Sequence, residues 1–148
     1  MEILELARED LGLIKPLWER LNRLHREKSV HFADHFNRFT FDARSRELAL
    51  KSRLGIFAAR HGKDEPYEAY CIVSLEGGMG EIDSLYVSPD CRGTGTGSRL
   101  MERGLEWLAG SGCEKIRIAV AHGNEQALGF YEKFGFKKRF TVLEQIRP

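Results

Sequence analysis

The sequence predicts a mixed α/β fold in one domain spanning residues 1–148, with antiparallel strands first and two βα crossovers later. Three observations carry that prediction. Strand-like apolar runs at 54–60, 67–75 and 81–87 are separated by short turn signals, as in an antiparallel meander. Further on, helical apolar stripes alternate with strand-like runs, the pattern of crossover units. Between the halves stands Leu85-Tyr86-Val87-Ser88-Pro89-Asp90-Cys91-Arg92-Gly93-Thr94-Gly95-Thr96-Gly97, a strand, a turn and a glycine loop that opens a helix.

The elements follow in order. Ile3–Ala7 reads as a short strand, and Asp10 is a fair N-cap for a helix over Leu11–Lys28. Leu17, Trp18, Leu21 and Leu24 recur at helical spacing and form a core stripe, while Pro16 predicts a kink or restart. A loop rich in His and Phe runs from Ser29 to Phe39, and Thr40 caps a second helix reaching about Ser52. Leu54–Arg60 and Tyr67–Leu75 pair across a hairpin loop at 61–66, and Glu76-Gly77-Gly78 turns into the strand Glu81–Val87. That strand is apolar on both faces, with Ile82 and Tyr86 on one and Leu85 and Val87 on the other, as a central strand requires. The helix after the glycine loop buries Leu100, Met101, Leu105 and Leu108 and stops at Gly110-Ser111-Gly112. Lys115–Ala121 is a strand, 125–134 a helix ended by Gly135 with Phe136 beyond its cap, and 137–145 a final strand.

Composition narrows the function. A net charge of +1, without a basic run, gives no reason to expect nucleic acid as a partner. No apolar run reaches the length of a membrane span, and the first residues lack the features of a signal peptide, so the expectation is a cytoplasmic protein. Cys71, Cys91 and Cys113 are odd in number and widely spaced, which argues against a disulfide framework and suits a reducing compartment. His25, His31 and His35 lack the Cys or carboxylate companions of a metal site, and no metal is expected.

The glycine loop reads as an anion site. Gly93, Gly95 and Gly97 let the backbone bend and approach a ligand, and the helix behind them offers unpaired N–H donors. Arg92 adds a cation at the rim. No Lys-Ser or Lys-Thr pair follows, so the loop is not a P-loop, and Ser98 stands where a dinucleotide fingerprint needs its third glycine. About thirty residues on comes a second constellation, Asn124, Ala127, Phe130, Tyr131 and Gly135-Phe136. Together the two segments resemble the GNAT superfamily of acyl-CoA-dependent N-acetyltransferases, with the close likeness running from about Gly80 to Phe136.

That resemblance implies a central, mostly antiparallel sheet of six or seven strands, splayed at an acetyl-CoA cleft and flanked by four helices. Fewer residues follow Phe136 than the family's two closing strands need. The edge would then be short, bent, or completed by a second chain in a homodimer. The implied reaction is acetyl transfer from acetyl-CoA to a primary amine, on a small molecule or a protein N-terminus, by direct attack in a ternary complex. The resemblance places pyrophosphate on Arg92, Gly93, Thr94, Gly95, Thr96, Gly97 and Ser98, and the pantetheine arm along Leu85, Tyr86 and Val87. Asn124 is a cofactor contact, a helix N-cap, or both. Tyr131 is read as the acid that protonates the leaving thiolate and as a cofactor contact, against the plainer reading of a core aromatic. Glu81 matches the catalytic glutamate of the histone-acetylating branch, and Asp83 the acidic position of the polyamine branch. Lying two residues apart, they should share a face, together with Leu85. Glu81 is read as the base and Asp83 as the amine binder, with the reverse open. Two alternatives stand beside this reading: an idle acyl-CoA sensor on the same fold, and a nucleotide- or phosphate-binding protein that uses the glycine loop alone.

Overall fold

Residues 1–147 are described by a computed structural model, in which the predicted meander forms one five-stranded sheet of order β1-β2-β3-β4-β5. Its strands are β1 (Glu2–Leu6), β2 (Arg53–Arg60), β3 (Ala69–Glu76), β4 (Met79–Val87) and β5 (Lys115–Ile118). The first four pair antiparallel, and β5 joins β4 in parallel after a helical crossover. The helices are α1 (Lys15–Lys28), α2 (Ala33–Arg38), α3 (Phe41–Ala49), α4 (Thr96–Gly110) and α5 (Gln126–Glu132). None of them, among the described residues, is long and apolar enough to cross a membrane.

Each face of the sheet carries a helical layer. α1 and α3 bury Leu17, Trp18, Phe41 and Leu48 against Ile56, Ala58, Tyr70 and Ile72. On the other face, α4 lays Leu100, Met101 and Leu108 on Phe57, Cys71, Val73 and Ile82. Each such fully buried side chain contributes roughly 1.5–3 kcal/mol. The α4 stripe continues through Gly104, where a Cβ would stand 2.9 Å from Val73 Cγ1 and 3.4 Å from Cys71 Sγ. Val73 is fully buried and stiff at χ1, so it cannot give way. Gly104→Ala is therefore expected to destabilise by about 1–2 kcal/mol despite its better helix propensity. Gly129→Ala, exposed on α5 with open space at its Cβ, should instead stabilise by about 0.5–1 kcal/mol. Thermal melts of the two variants check the pair.

The structure departs from the expected layout in several places. A 3-10 segment, Arg8–Ile14, precedes α1, and Pro16 sits in the first turn of that helix, where its missing N–H costs nothing. The predicted restart is therefore the true start. α2 occupies part of the segment expected to be loop, and the helix count is five instead of four. Thr40 caps α3 as expected, accepting from Ala43 N at 3.1 Å.

The sheet has five strands instead of six or seven. β5 ends at Ile118, short of Val120, and residues 137–147 form no strand, leaving Phe140, Val142, Leu143 and Ile146 exposed. A four-residue edge offers few ladder bonds to offset the entropy of ordering a further strand.

The side chains of β4 are also redistributed. Val73 pairs with Ile82 but Ile72 pairs with Ser84, so Asp83 is the extra residue of a bulge. The bulge exchanges the faces of everything beyond it. Ile82 joins Leu85 and Val87 on the α4 side, while Tyr86 packs with the α1 layer. Grouping Ile82 with Tyr86, and Leu85 with Glu81, fails for this reason, because strict alternation does not survive an inserted residue.

Candidate active site

β4 and β5 stay paired only as far as Ile82–Ile118. Past that rung β4 continues to Val87 while β5 has ended, so Ser84–Val87 have no neighbour on that side. A cleft of about 450 Å³ opens there. Its floor is Leu85, Tyr86 and Val87, and its walls come from the glycine loop, α5, and Leu21 and Leu24 of α1.

The loop end carries two left-handed glycines and a helix start without a side-chain cap. Gly93 and Gly95 have φ of +78° and +82°, a region that L side chains rarely adopt. Gly95 is the N-cap of α4 and supplies no side-chain oxygen, so the first N–H groups of the helix stay open. Thr96, Gly97 and Ser98 all line the cleft at that point. Arg92 donates from Nε to Val87 O at 3.0 Å, which ties the loop to the end of β4. The Thr94 side chain turns into the loop. Its hydroxyl donates to Cys91 O at 2.6 Å and lies 2.9 Å from Thr96 Oγ1, bracing the loop from within. Cys91 is buried, and burial first, then Glu68 and Asp90, hold its thiol above the usual range. It is not an activated thiol.

The opposite wall brings Asn124 and Tyr131 to the same cleft. Asn124 does not act as a side-chain N-cap. Its Oδ1 accepts from Lys28 Nζ at 3.3 Å, and the loop N–H of Gly123 is taken by the Glu125 carboxylate. Gly123 itself passes so close to α1 that a Cβ there would collide with Lys28 O. Tyr131 is wedged edge-on between Phe130 and Phe136, with centroids 5.3 and 6.4 Å away. Phe136 is returned to that position by Gly135 at φ +91°, the helix exit expected from the sequence. Among the described residues the Tyr131 hydroxyl makes no hydrogen bond, although its ring packs in the α4-side core. Burial, followed by the neighbouring Cys71, pushes its pKa up to about 12.

Glu81 and Asp83 flank the last rung before the strands part, and neither lines the cleft. The Asp83 side chain is only 1% exposed, and its Oδ1 lies 3.6 Å from Arg44 Nη2. Its Oδ2 is buried without a hydrogen-bond partner. Burial raises its pKa from the ordinary 3.8 to about 6, with the Glu81 charge adding to the rise and Ser74, Arg44 and Lys51 opposing it. Glu81 keeps 19% exposure and pairs with Lys51 Nζ at 3.4 Å and more loosely with Arg117 Nη2 at 3.9 Å. Asp83 therefore does not present its carboxylate to an entering amine; Glu81 is the more accessible of the two. Burial, and then the Asp83 charge, raise the pKa of Cys71 to about 12.

Leu21, Leu24 and Lys133 were not foreseen as cleft residues. On α1 the two leucines belong to a helical apolar stripe, and periodicity alone cannot tell a core stripe from a cleft wall. A second, open groove of about 530 Å³ lies between 31–35 and 144–147 and holds none of the predicted site residues.

Comparison with known proteins agrees with this geometry. A model of the family described as "Acetyltransferase (GNAT) family" matches residues 11–136. The mycothiol acetyltransferase of Mycobacteroides abscessus is 34% identical over 113 residues, which is 74% of this chain and 34% of that protein. The peptidyl-lysine N-acetyltransferase YjaB of Escherichia coli is 43% identical over 56 residues, 38% of this chain and 35% of that protein. The chain thus spans about a third of the length of these relatives. Among solved structures, the PaiA N-acetyltransferase of Thermoplasma acidophilum in complex with coenzyme A superposes with a TM-score of 0.72 at 17% identity, covering 96% of this chain and 94% of that one.

Proposed function

Because the chain belongs to the GNAT acetyltransferase family, we propose that it transfers the acetyl group of acetyl-CoA to a primary amine by direct attack within a ternary complex. The observation that carries this reading is the parting of β4 from β5 after Ile82, with the anion-receiving loop at one end of the gap and Tyr131 in its wall. An extended pantetheine arm suits a gap of strand width, since its amides need the ladder partners that β5 no longer supplies. Coenzyme A bound to a structural neighbour supports the choice of co-substrate. The pyrophosphate would rest on the N–H groups at Gly93–Ser98, with Arg92 beside it. A peptidyl-lysine enzyme among the relatives supports an amine acceptor. Three free cysteines suit a reducing compartment, and the reading places the protein in the cytoplasm.

Burial favours exchanging the two roles expected of the acidic pair. An amine arrives protonated and must lose a proton before it attacks the thioester carbon. Glu81, the more exposed of the two, attracts the cation. Asp83, held near 6, is ionised at neutral pH yet more basic than an ordinary carboxylate, and takes the proton through water. The acetyl–sulfur bond then breaks as Tyr131 donates its proton to the departing sulfur. Phenol pKa values near 12 keep that proton in place until it is needed.

Free-thiol release with acetyl-CoA and a panel of amines tests the function. Saturable acetyl-CoA binding without thiol release from any amine would mark an acyl-CoA sensor. Equal thermal stabilisation by ATP and CoA would mark a phosphate binder.

The acidic pair has its own test. Asp83→Asn should abolish the acidic limb of kcat near pH 6, whereas Glu81→Gln should mainly raise the acceptor KM. Stability moves in the opposite sense to activity. The folded pKa lies above the unfolded one, so Asp83 favours the fold when protonated, below about pH 4, and that contribution is lost as pH rises through 6. At pH 7 the ionised carboxylate costs roughly 2–3 kcal/mol. Asp83→Asn should raise the melting temperature at pH 7 while lowering turnover. Profiles unaltered in both variants would return the proton to bulk water.

A further inference from the structure

The bulge that displaces Asp83 is held from outside the sheet. Arg44 on α3 donates from Nη2 to the Asp83 carbonyl at 3.3 Å, and the same nitrogen stands 3.6 Å from Oδ1. Its Nη1 donates to Glu47 Oε2 at 3.0 Å, so the guanidinium is anchored at its outer side as well. A bulged residue gives up its place in the ladder, and its carbonyl needs another donor. Asp83 lies immediately past the last β4–β5 rung, so whatever fixes this bulge also fixes where the strands begin to part.

We propose that Arg44 is a positioning residue for acetyl transfer: by clasping both the carbonyl and the carboxylate of Asp83, it sets the bulge and with it the point where β4 and β5 part. The inference rests on the acetyl-transfer reading above. Arg44 lines no part of the cleft and acts only through Asp83. A planar fork suits this task, because one donor group serves main chain and side chain while the other is tied back to Glu47. Lys51 cannot replace it, being engaged with Glu81. The charged and titratable groups around Asp83 are Arg44 and Lys51 from α3 and the turn after it, Cys71 from β3, and Glu81 on β4 itself, with Arg117 of β5 facing Glu81.

The test uses the full chain with Arg44→Gln, Arg44→Lys and, to probe the outer pair, Glu47→Gln. Kinetics, acetyl-CoA affinity and a carboxyl-carbon NMR titration of Asp83 are measured for each. Arg44→Gln should lower kcat by about 10–100-fold, as expected for a small misplacement of a reacting group. Acetyl-CoA affinity should change less than about threefold, since the phosphate contacts lie elsewhere. Removing the cation disfavours the Asp83 carboxylate, so its titration and the acidic limb of kcat should both move to higher pH. Arg44→Lys restores the charge but not the fork, and should return the titration to the wild-type position with only part of kcat. Glu47→Gln frees the outer side of the fork and should lower kcat in the same direction as Arg44→Gln but by less, with acetyl-CoA affinity unchanged. A kcat within twofold of wild type in Arg44→Gln, with the titration unmoved, overturns the proposal. So does an equal loss of kcat in both Arg44 variants with an unmoved titration in each, which marks a merely structural residue. Should Arg44→Gln fail to fold, Arg44→Lys decides: wild-type kcat overturns the clasp and a reduced one upholds it. Should the wild type transfer no acetyl group, the functional reading fails by itself. The Asp83 titration then still decides the clasp, a shift in Arg44→Gln upholding it and no shift overturning it.

Discussion

Replacing Tyr131 by phenylalanine should lower kcat by about 10²–10⁴-fold while leaving the fold and the acetyl-CoA affinity almost unchanged. The ring supplies the packing, edge-on to Phe130 and Phe136, and phenylalanine preserves it. Only the hydroxyl is lost, and among the described residues that hydroxyl supports no hydrogen bond. A core tyrosine normally satisfies its hydroxyl, as Tyr70 does with Ser84 at 2.7 Å. Tyr131 instead lines the cleft wall. Burial holds its pKa near 12, so it stays protonated at neutral pH. Steady-state kinetics with a good acceptor, beside a thermal melt, provide the check. A variant that keeps most of its turnover restores Tyr131 to a core aromatic and removes the acid from the mechanism.

Gly95→Val should abolish measurable acetyl-CoA binding. Two effects act together. A β-branched residue is strongly disfavoured at φ +82°, so the N-cap of α4 must shift and take its open N–H groups with it. The side chain would also enter open space beside the loop, where no protein atom lies within 4 Å of the Cβ position and where the proposed pyrophosphate would rest. The cost to the fold is smaller, because α4 is anchored further along by Leu100, Met101 and Leu108. Circular dichroism should show a folded protein, and calorimetry with acetyl-CoA should show no heat of binding. Retained affinity would move the co-substrate away from this loop. Arg92→Ala should weaken binding by only about 1–3 kcal/mol, since it removes one charge-assisted contact and leaves the backbone donors in place.

What was legible in the sequence follows from locality. The glycine loop, the exit of α5 at Gly135-Phe136, the Thr40 cap and the buried stripe of α4 each depend on residues a few positions apart. Their chemistry is therefore visible in the order of residues alone. Most of the cleft is legible for the same reason, since β4, the loop and the start of α4 are one continuous segment. The direction of the Thr94 side chain is not legible in the sequence, because within a loop it depends on which carbonyl is nearest, here Cys91 O. The closing strand failed because strand formation needs an edge of sufficient length, and β5 stops after four residues.

The sequence by itself determined the fold class, the glycine loop, and the identities of Tyr131, Glu81 and Asp83 as groups worth weighing. Only the tertiary structure decided the surroundings of those groups. The bulge at Asp83 is a matter of pairing between strands, and it inverted the faces of Leu85 and Tyr86 relative to plain alternation. The walls given by Leu21 and Leu24, and the clasp given by Arg44, come from helices 39 or more residues upstream of the groups they serve. Burial made the final distinction. Two carboxylates of nearly equal intrinsic acidity differ here because Asp83 is sealed between α3 and the sheet, while Glu81 keeps contact with water. The free energy of a charge depends on its surroundings, and distant parts of the chain supply those surroundings only once it has folded.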